Sequence, residues 1–283
     1  MSALPPTSVL APTARRARLR PLVARAAAVL GLAVLAGQLQ AGVGEAAVTD
    51  RWMADAPAGS AGWTADFRDD FDRLDLDRWG RYEGGVPAGT VSTYRAGNVW
   101  VDNGAQVGDG VLTLTSKQVD GRWSGAGVSG ARGFSAVRGK WVVKAKFDRA
   151  HGIGYAFLLM PKGGGWPPEL DIVEGTMGGP HMMSTYHYGK SDDHRQIQRW
   201  NYGVDTSQWH TYGVVMDEGS ISYTVDGRVW ATVQTSAVTS KPMWIGFQTG
   251  VKDCAKSTGE CLDASTPASS DISVDWVAHY RRS

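Results

Sequence analysis

The segment ISYTVDGRVWATV, residues 221–233, alternates apolar and polar side chains on both sides of the pair Asp226-Gly227. A period of two is the pattern of a β-strand with one buried face, and Asp-Gly between two such arms is typical of a two-residue hairpin turn. The segment therefore predicts two antiparallel strands joined by a tight turn.

The same alternation recurs along the chain, and helical periodicity is nearly absent apart from one turn over residues 72–79. Many short strands separated by turn residues indicate an antiparallel β-sandwich or barrel, which can reach ~250 residues as one unit. We predict an all-β fold, a single antiparallel β-sandwich domain over residues 48–283. The further strand-like runs are VLTLTSK (111–117), WVVKAKF (141–147), STYHYG (184–189), TYGVVMD (211–217), MWIGFQ (243–248) and ISVDWVAHY (272–280).

The N-terminal segment has the layout of an export signal. Residues 1–25 contain five Arg and no acidic residue, and the 12-residue apolar run AAAVLGLAVLAG follows at residues 26–37. That length fits a signal-peptide core of ~7–15 residues and is short of the ~20 needed to span a bilayer. We predict a signal peptide over residues 1–47 and a secreted, extracellular protein without membrane attachment after its removal; the alternative is a retained anchor.

The two cysteines, Cys254 and Cys261, lie in a polar stretch. Because an exported protein meets an oxidising compartment, we predict a disulfide bond between them, with two free structural thiols as the alternative.

Charge argues against nucleic-acid partners. The full chain has a net charge of +1, and without residues 1–47, which carry five Arg and one Glu, 24 basic and 27 acidic residues leave −3. All 12 Trp lie in the remainder, as suits a sandwich that packs aromatic rings. We expect a monomer that does not bind nucleic acid.

The stretch WPPELDIVEG, residues 166–175, holds three acids that we call the carboxylate cluster: Glu169, Asp171 and Glu174. Acidic residues are rare in strands, so three among Leu and Ile require an explanation. Glu169 and Asp171 share a face of a regular strand, whereas Glu174 points to the other face. One extra residue between Asp171 and Glu174, a β-bulge, would return Glu174 to their face.

Three carboxyl groups on one surface have several chemical uses. Glycoside hydrolysis needs two carboxyls, ~5–5.5 Å apart for retention or ~6.5–9.5 Å for inversion, and strand spacing alone does not decide between them. The alternatives are a Ca²⁺ site built from hard oxygen ligands and an exposed polar strand. Asp192, Asp193 and His194 form a second polar run, which we interpret as a solvated loop, with a metal site as the alternative.

At the carboxylate cluster the sequence resembles glycoside hydrolase family 16, whose laminarinase-like branch carries the bulged motif E-x-D-x-x-E, matched here by ELDIVE. The resemblance extends over residues 98–117, YAFLLMP (155–161), STYHYG, WHTYGVVMD, the Asp226-Gly227 hairpin and VDWVAHY in the family's order. It implies a jelly-roll, concanavalin A-like sandwich with a substrate cleft across a concave sheet. It also implies a retaining double displacement with Glu169 as nucleophile, Glu174 as general acid/base and Asp171 as helper.

Further residues are carried over from the same resemblance. It implies that Trp166, His187 and Gln248 bind substrate; the alternatives are ordinary packing for Trp166, a structural hydrogen bond for His187 and a solvated position for Gln248. Asp275 stands where some relatives bind a structural calcium ion, with a surface Asp as the alternative. The metal is otherwise unknown, and the chemistry requires no cofactor.

Two positions depart from the family pattern. Leu158 stands where the family usually has Trp, and the small residues GAGVSGA at 125–131 replace a common Arg. Both changes are expected near substrate subsites.

The sequence thus predicts a secreted, endo-acting β-glycoside hydrolase with a polysaccharide substrate, cutting internal β-1,3 or mixed β-1,3/1,4 glucan bonds. The alternatives are a galactan- or agar-type hydrolase or a transglycosylase of the same family, and a non-catalytic carbohydrate-binding protein.

Overall fold

The computed structural model describes residues 62–82, 99–100, 104–119, 121–252 and 260–283. The predicted signal peptide, residues 1–47, and Cys254 lie outside the described residues, so the export signal and the disulfide stay predictions. The strands belong to one compact unit, Trp52–Ser283. No helix among the described residues is long and apolar enough to cross a membrane.

The described chain forms sixteen strands and no helix longer than a turn. They are β1 (Trp63–Asp69), β2 (Gly80–Arg81), β3 (Val99–Trp100), β4 (Ala105–Gly108), β5 (Val111–Val119), β6 (Arg122–Ser129), β7 (Gly139–Phe147), β8 (Ile153–Pro161), β9 (Glu169–Thr176), β10 (Met182–Gly189), β11 (His194–Asn201), β12 (His210–Asp217), β13 (Ser220–Val225), β14 (Arg228–Gln234), β15 (Met243–Val251) and β16 (Ser269–Arg282).

The strands hydrogen bond in the order β11-β10-β9-β8-β15-β6-β5-β16-β7-β12-β13-β14. Strand β1 joins β16, β2 and β3 join β6, and β4 joins β5. Only the two-residue contact of β3 with β6 is parallel among the described strands. We call β11-β10-β9-β8-β15-β6 the first layer and β5-β16-β7-β12-β13-β14 the second layer.

The two layers face each other across an aromatic core. The ring of Phe147 on β7 stacks on Tyr155 of β8 with 3.9 Å between centroids, and Phe157 of the first layer lies 5.2 Å from the same ring. Burial of such large rings is the main favourable term in folding. The prediction of an all-β antiparallel sandwich is confirmed.

The hairpin predicted over residues 221–233 is also confirmed. Val225 of β13 pairs with Arg228 of β14, leaving Asp226 and Gly227 as the two turn residues. Their φ values are 49° and 73°. Both central residues of a type I′ turn need positive φ, which Asp tolerates and Gly adopts freely.

Asp192 and Asp193 lie in an exposed loop as predicted, whereas His194 begins strand β11 and pairs with Gly189, which corrects the interpretation for this one residue. The strand has the sequence HRQIQRWN. It lies at the edge of the first layer and is polar on one face, so apolar alternation gave no signal for it.

Candidate active site

A β-bulge in β9 brings the carboxylate cluster onto one face. Asp171 pairs with Thr185 and Glu174 pairs with Met183, so two residues of β9 are opposite one residue of β10 between these partners. The pairing of β9 with its other neighbour, β8, shifts at the same place on β9. The predicted bulge is therefore confirmed, and it turns Glu174 to the side of Asp171 and Glu169.

This side is the outer face of the first layer, directed away from the aromatic core. Its floor on β8 consists of Ala156, Leu158 and Met160, a small apolar cluster separate from the main core and covered by Trp166 and Trp244. Leu158 is fully buried and is paired with Asp171. The Leu that replaces the expected Trp thus forms part of the floor beside the carboxylates.

Each carboxylate has a polar partner. The Trp166 indole Nε1 donates a hydrogen bond to Glu169 Oε2 at 2.6 Å, and the Thr185 hydroxyl donates to Glu174 Oε1 at 2.5 Å. His187 Nε2 lies 3.3 Å from Asp171 Oδ2. The structure thus brings Trp166 and His187 to the cluster, while their contact with substrate stays a prediction.

A second histidine extends this network towards the surface. His187 Nδ1 is 2.8 Å from His194 Nε2, and the two rings stack with 5.0 Å between centroids. Trp166 covers His194 at 4.5 Å. A chain of polar groups therefore runs from buried Asp171 through His187 to exposed His194.

Burial and mutual repulsion keep protons on the cluster. Desolvation, followed by the charge of Asp171, raises the pKa of Glu169 from 4.5 to about 8, while the charge of His187 and the Trp166 hydrogen bond lower it in part. Burial and the charge of Glu174 raise the pKa of Asp171 well above its usual value. Buried carboxyls that repel one another do not all ionise near neutral pH, so the cluster holds at least one proton.

Gln248 lies on the same outer face. It pairs with Ala156, which in turn pairs with Glu174, and residues opposite one another across strands share a face. The side chain is 4% exposed and its Oε1 accepts no hydrogen bond from the described residues. This placement fits a cleft-facing amide, and substrate binding by Gln248 stays a prediction.

Sequence reasoning missed two contributors to this face. The Tyr82 ring packs directly on Gly127, where an added Cβ would lie 2.3 Å from the ring. Burial raises the pKa of Tyr82, and the negative charge of Glu169 raises it further. Tyr82 follows a two-residue strand, for which no periodic pattern exists. Strand β11 adds Gln196, Gln198 and Trp200, whose spacing of two was the available signal.

The family assignment follows from comparison with known proteins. The model of the glycosyl hydrolases family 16 matches residues 92–277, more than half of the chain. The chain belongs to this family. The matched residues of this family 16 chain include the whole carboxylate cluster.

Two curated relatives of this family 16 chain come from Rhizobium meliloti. The endo-1,3-1,4-beta-glycanase ExsH is 27% identical over 190 residues, and EglC, of the same description, is 27% identical over 188 residues. Each alignment covers 63% of this chain and 40% of the relative. The chain thus spans about two fifths of the length of these relatives.

Solved structures support the fold. The laminarinase catalytic domain from Thermotoga maritima has a TM-score of 0.66 at 19% identity, covering 77% of this chain and 98% of that one. LamAcat from Zobellia galactanivorans has a TM-score of 0.65 at 18% identity, covering 79% and 100%. At these identities the likeness establishes the sandwich alone.

Asp275 pairs with a cation of the protein itself, and a calcium ion at this position stays a prediction. Lys144 Nζ lies 3.2 Å from Asp275 Oδ2. Across the described part of the chain, no group of three or more His, Cys, Asp or Glu residues is arranged to hold a metal ion.

Proposed function

We propose that this family 16 chain is an endo-acting hydrolase of β-1,3 or mixed β-1,3/1,4 glucans that retains the anomeric configuration. The observation that carries the proposal is the placement of Glu169, Asp171 and Glu174 on one face by the bulge, with Trp166 and His187 in contact. The descriptions of the Rhizobium meliloti relatives as endo-1,3-1,4-beta-glycanases support internal β-1,3 and β-1,4 bonds as the linkages that are cut.

In the first step, the Glu169 carboxylate attacks the anomeric carbon of the sugar. The carbon–oxygen bond to the leaving sugar breaks, and Glu174 gives its proton to that oxygen. A glycosyl ester on Glu169 and a shortened glucan chain result. The Thr185 hydroxyl, 2.5 Å from Glu174 Oε1, holds the acid in place.

In the second step, the Glu174 carboxylate takes a proton from water, and the water oxygen attacks the same carbon. The ester bond breaks and its electron pair returns to Glu169. Two inversions give net retention. Asp171, whose Oδ2 lies 3.3 Å from His187 Nε2, orients Glu169. Burial and the charge of Glu174 favour the protonated form of Asp171.

The nucleophile has to be ionised before it can attack. Burial raises the pKa of Glu169 to about 8, so only a minor fraction is ionised at neutral pH. The Trp166 N–H and the charge of His187 both favour the ionised form. These two groups therefore increase the fraction of enzyme that is ready to react.

The direct test is release of reducing sugar from laminarin, lichenan, agarose and galactan. We expect activity on the first two, with Glu169→Gln and Glu174→Gln at least about 10³-fold slower. Wild-type activity in both variants would refute the assigned roles, and activity on agarose or galactan alone would refute the substrate. Products longer than the starting oligosaccharide would show that the enzyme is a transglycosylase instead of a hydrolase.

We propose that hydrolysis needs no cofactor, because carboxyl groups and water supply every step. Enzyme dialysed against EDTA should keep its full rate. Loss of activity that Ca²⁺ restores would contradict this.

We also propose export with loss of residues 1–47 and a Cys254–Cys261 disulfide. The apolar run that follows five arginines supports export. An exported protein meets an oxidising compartment, which supports the disulfide. Intact mass of protein recovered from the medium tests both, with a start at residue 48 and two hydrogens fewer than the dithiol. A full-length cell-associated chain, or two alkylatable thiols, would contradict them.

A further inference from the structure

An exposed aromatic group lies at the end of edge strand β11. Trp200 is 49% exposed and Tyr202 71%, and the Tyr202 ring lies 5.2 Å from His181. Large aromatic side chains usually gain from burial, so two exposed ones at the end of one strand require an explanation.

The register places Trp200 on the outer face in line with the carboxylate cluster. Glu174 pairs with Met183, and Met183 pairs with Trp200, so the three share one face. Two strand spacings put Trp200 roughly 10 Å from Glu174. That distance is too long for the sugar at the scissile bond and suits a sugar farther along the same chain.

Burial along β11 agrees with this assignment. Ile197 packs against the main core, which sets the odd-numbered positions of the strand towards the interior side. Gln196, Gln198 and Trp200 therefore point the opposite way. Gln196 pairs with His187 and Gln198 with Thr185, which are the residues that contact Asp171 and Glu174.

The chemistry of this row matches an uncharged glycan. An indole face offers apolar surface to the C–H groups of a pyranose ring, and amides donate and accept hydrogen bonds with hydroxyls. Gln196, Gln198 and Trp200 carry no charge, whereas the nearby carboxylate cluster repels anions. A sulfated or carboxylated chain would find no cation on these three side chains.

We propose that Trp200, with Gln196 and Gln198, forms a sugar-binding subsite that holds one arm of a neutral glycan chain beyond the scissile sugar. This inference rests on the proposed function and adds a residue that sets substrate length. Removing Trp200 should weaken the grip on long chains and leave the reacting carboxyls unchanged.

The kinetic test compares Trp200→Ala with Trp209→Ala on neutral oligosaccharides of increasing length. Trp209 is a matched control because it is 40% exposed and stacks on Lys146 of the second layer. We expect Trp200→Ala to lose roughly tenfold in kcat/KM on long chains, with little change on the shortest substrate cleaved. Trp200→Phe should recover most of the loss.

Binding to the inactive Glu169→Gln background separates the inference from the proposed function. Calorimetry with laminarin oligosaccharides should give a Kd about tenfold weaker when Trp200→Ala is added, and sulfated laminarin should bind less than laminarin. Equal loss in Trp200→Ala and Trp209→Ala, or no loss in either, would overturn the subsite. Tighter binding of sulfated laminarin than of laminarin would overturn the assignment of a neutral glycan as the ligand.

Failure of the wild type to cleave any glucan would overturn the proposed function. The binding comparison would still decide whether Trp200 forms a subsite.

Discussion

The indole of Trp166 donates a 2.6 Å hydrogen bond to Glu169, the carboxyl that the mechanism needs in its ionised form. Burial raises the pKa of Glu169 to about 8, and this bond lowers it from a still higher value. The reacting form has Glu169 ionised while the cluster still holds the proton it donates, so kcat/KM of the free enzyme should be bell-shaped in pH. A rate that stays at its maximum at high pH, where the cluster has no proton left to donate, would contradict this account.

Replacing Trp166 with Phe removes the donor and keeps an aromatic ring over His194. Because the ionised form of Glu169 loses a stabilising hydrogen bond, its pKa rises, a smaller fraction of the enzyme is in the reacting form, and the maximum of the kcat/KM profile falls. Trp244→Phe is the control, since Trp244 covers the same floor but donates to the carbonyl of Pro161. The prediction is wrong if both variants keep the wild-type maximum.

Glu169→Gln should stabilise the protein while it removes activity. Between pH 4.5 and about 8 the folded state holds a proton on Glu169 that the unfolded chain has released, so stability falls as pH rises through this range. The Gln variant lacks this loss. We expect a gain on the order of 2 kcal/mol at pH 8 and little gain at pH 4, measured by urea unfolding. The control is Glu218→Gln at an exposed turn position, which should show no such pH-dependent gain.

His187→Ala removes the partner of Asp171 and a positive charge that lowers the pKa of Glu169. The maximum of the kcat/KM profile should fall, because a smaller fraction of Glu169 is ionised, and kcat should fall more than KM rises. His151→Ala is a matched control, because His151 forms a 3.4 Å ion pair with Asp263 at an exposed position. Indistinguishable pH profiles of the two variants would remove His187 from the mechanism.

Thr185→Val and Ser184→Ala test the two faces of β10. The Thr185 hydroxyl holds Glu174, so the nearly isosteric Val should lower kcat about tenfold with little change in stability. Ser184 is buried and donates to the carbonyl of Ile172 at 2.6 Å. Its loss should cost roughly 1 kcal/mol of stability and leave kcat near wild type. If Thr185→Val lowered stability and Ser184→Ala lowered kcat, the two faces of β10 would not be assigned as described.

Much of the fold was predictable because its signals are local. Asp226-Gly227 needs only two residues with positive φ, and the bulge follows from the spacing of Asp171 and Glu174 alone. Neither requires knowledge of distant contacts, and the structure has both where the sequence placed them.

The parts that were missed depend on tertiary position. Strand β11 carries polar residues on the face that borders the carboxylate cluster, so no apolar alternation marks His194 as part of a strand. Tyr82 reaches Glu169 from a distant segment by packing on Gly127, a contact that no local pattern encodes. The family resemblance supplied the candidate roles of the acids, and the structure adds the partners that tune them.

The most direct test of the central claim is to trap the glycosyl-enzyme with a 2-fluoro glucan oligosaccharide bearing a good leaving group and to locate the adduct by peptide mass spectrometry. The retaining mechanism predicts a single ester on Glu169, absent in Glu169→Gln. An adduct on Asp171 or Glu174, or an active enzyme whose products have inverted configuration and that forms no adduct, would contradict it.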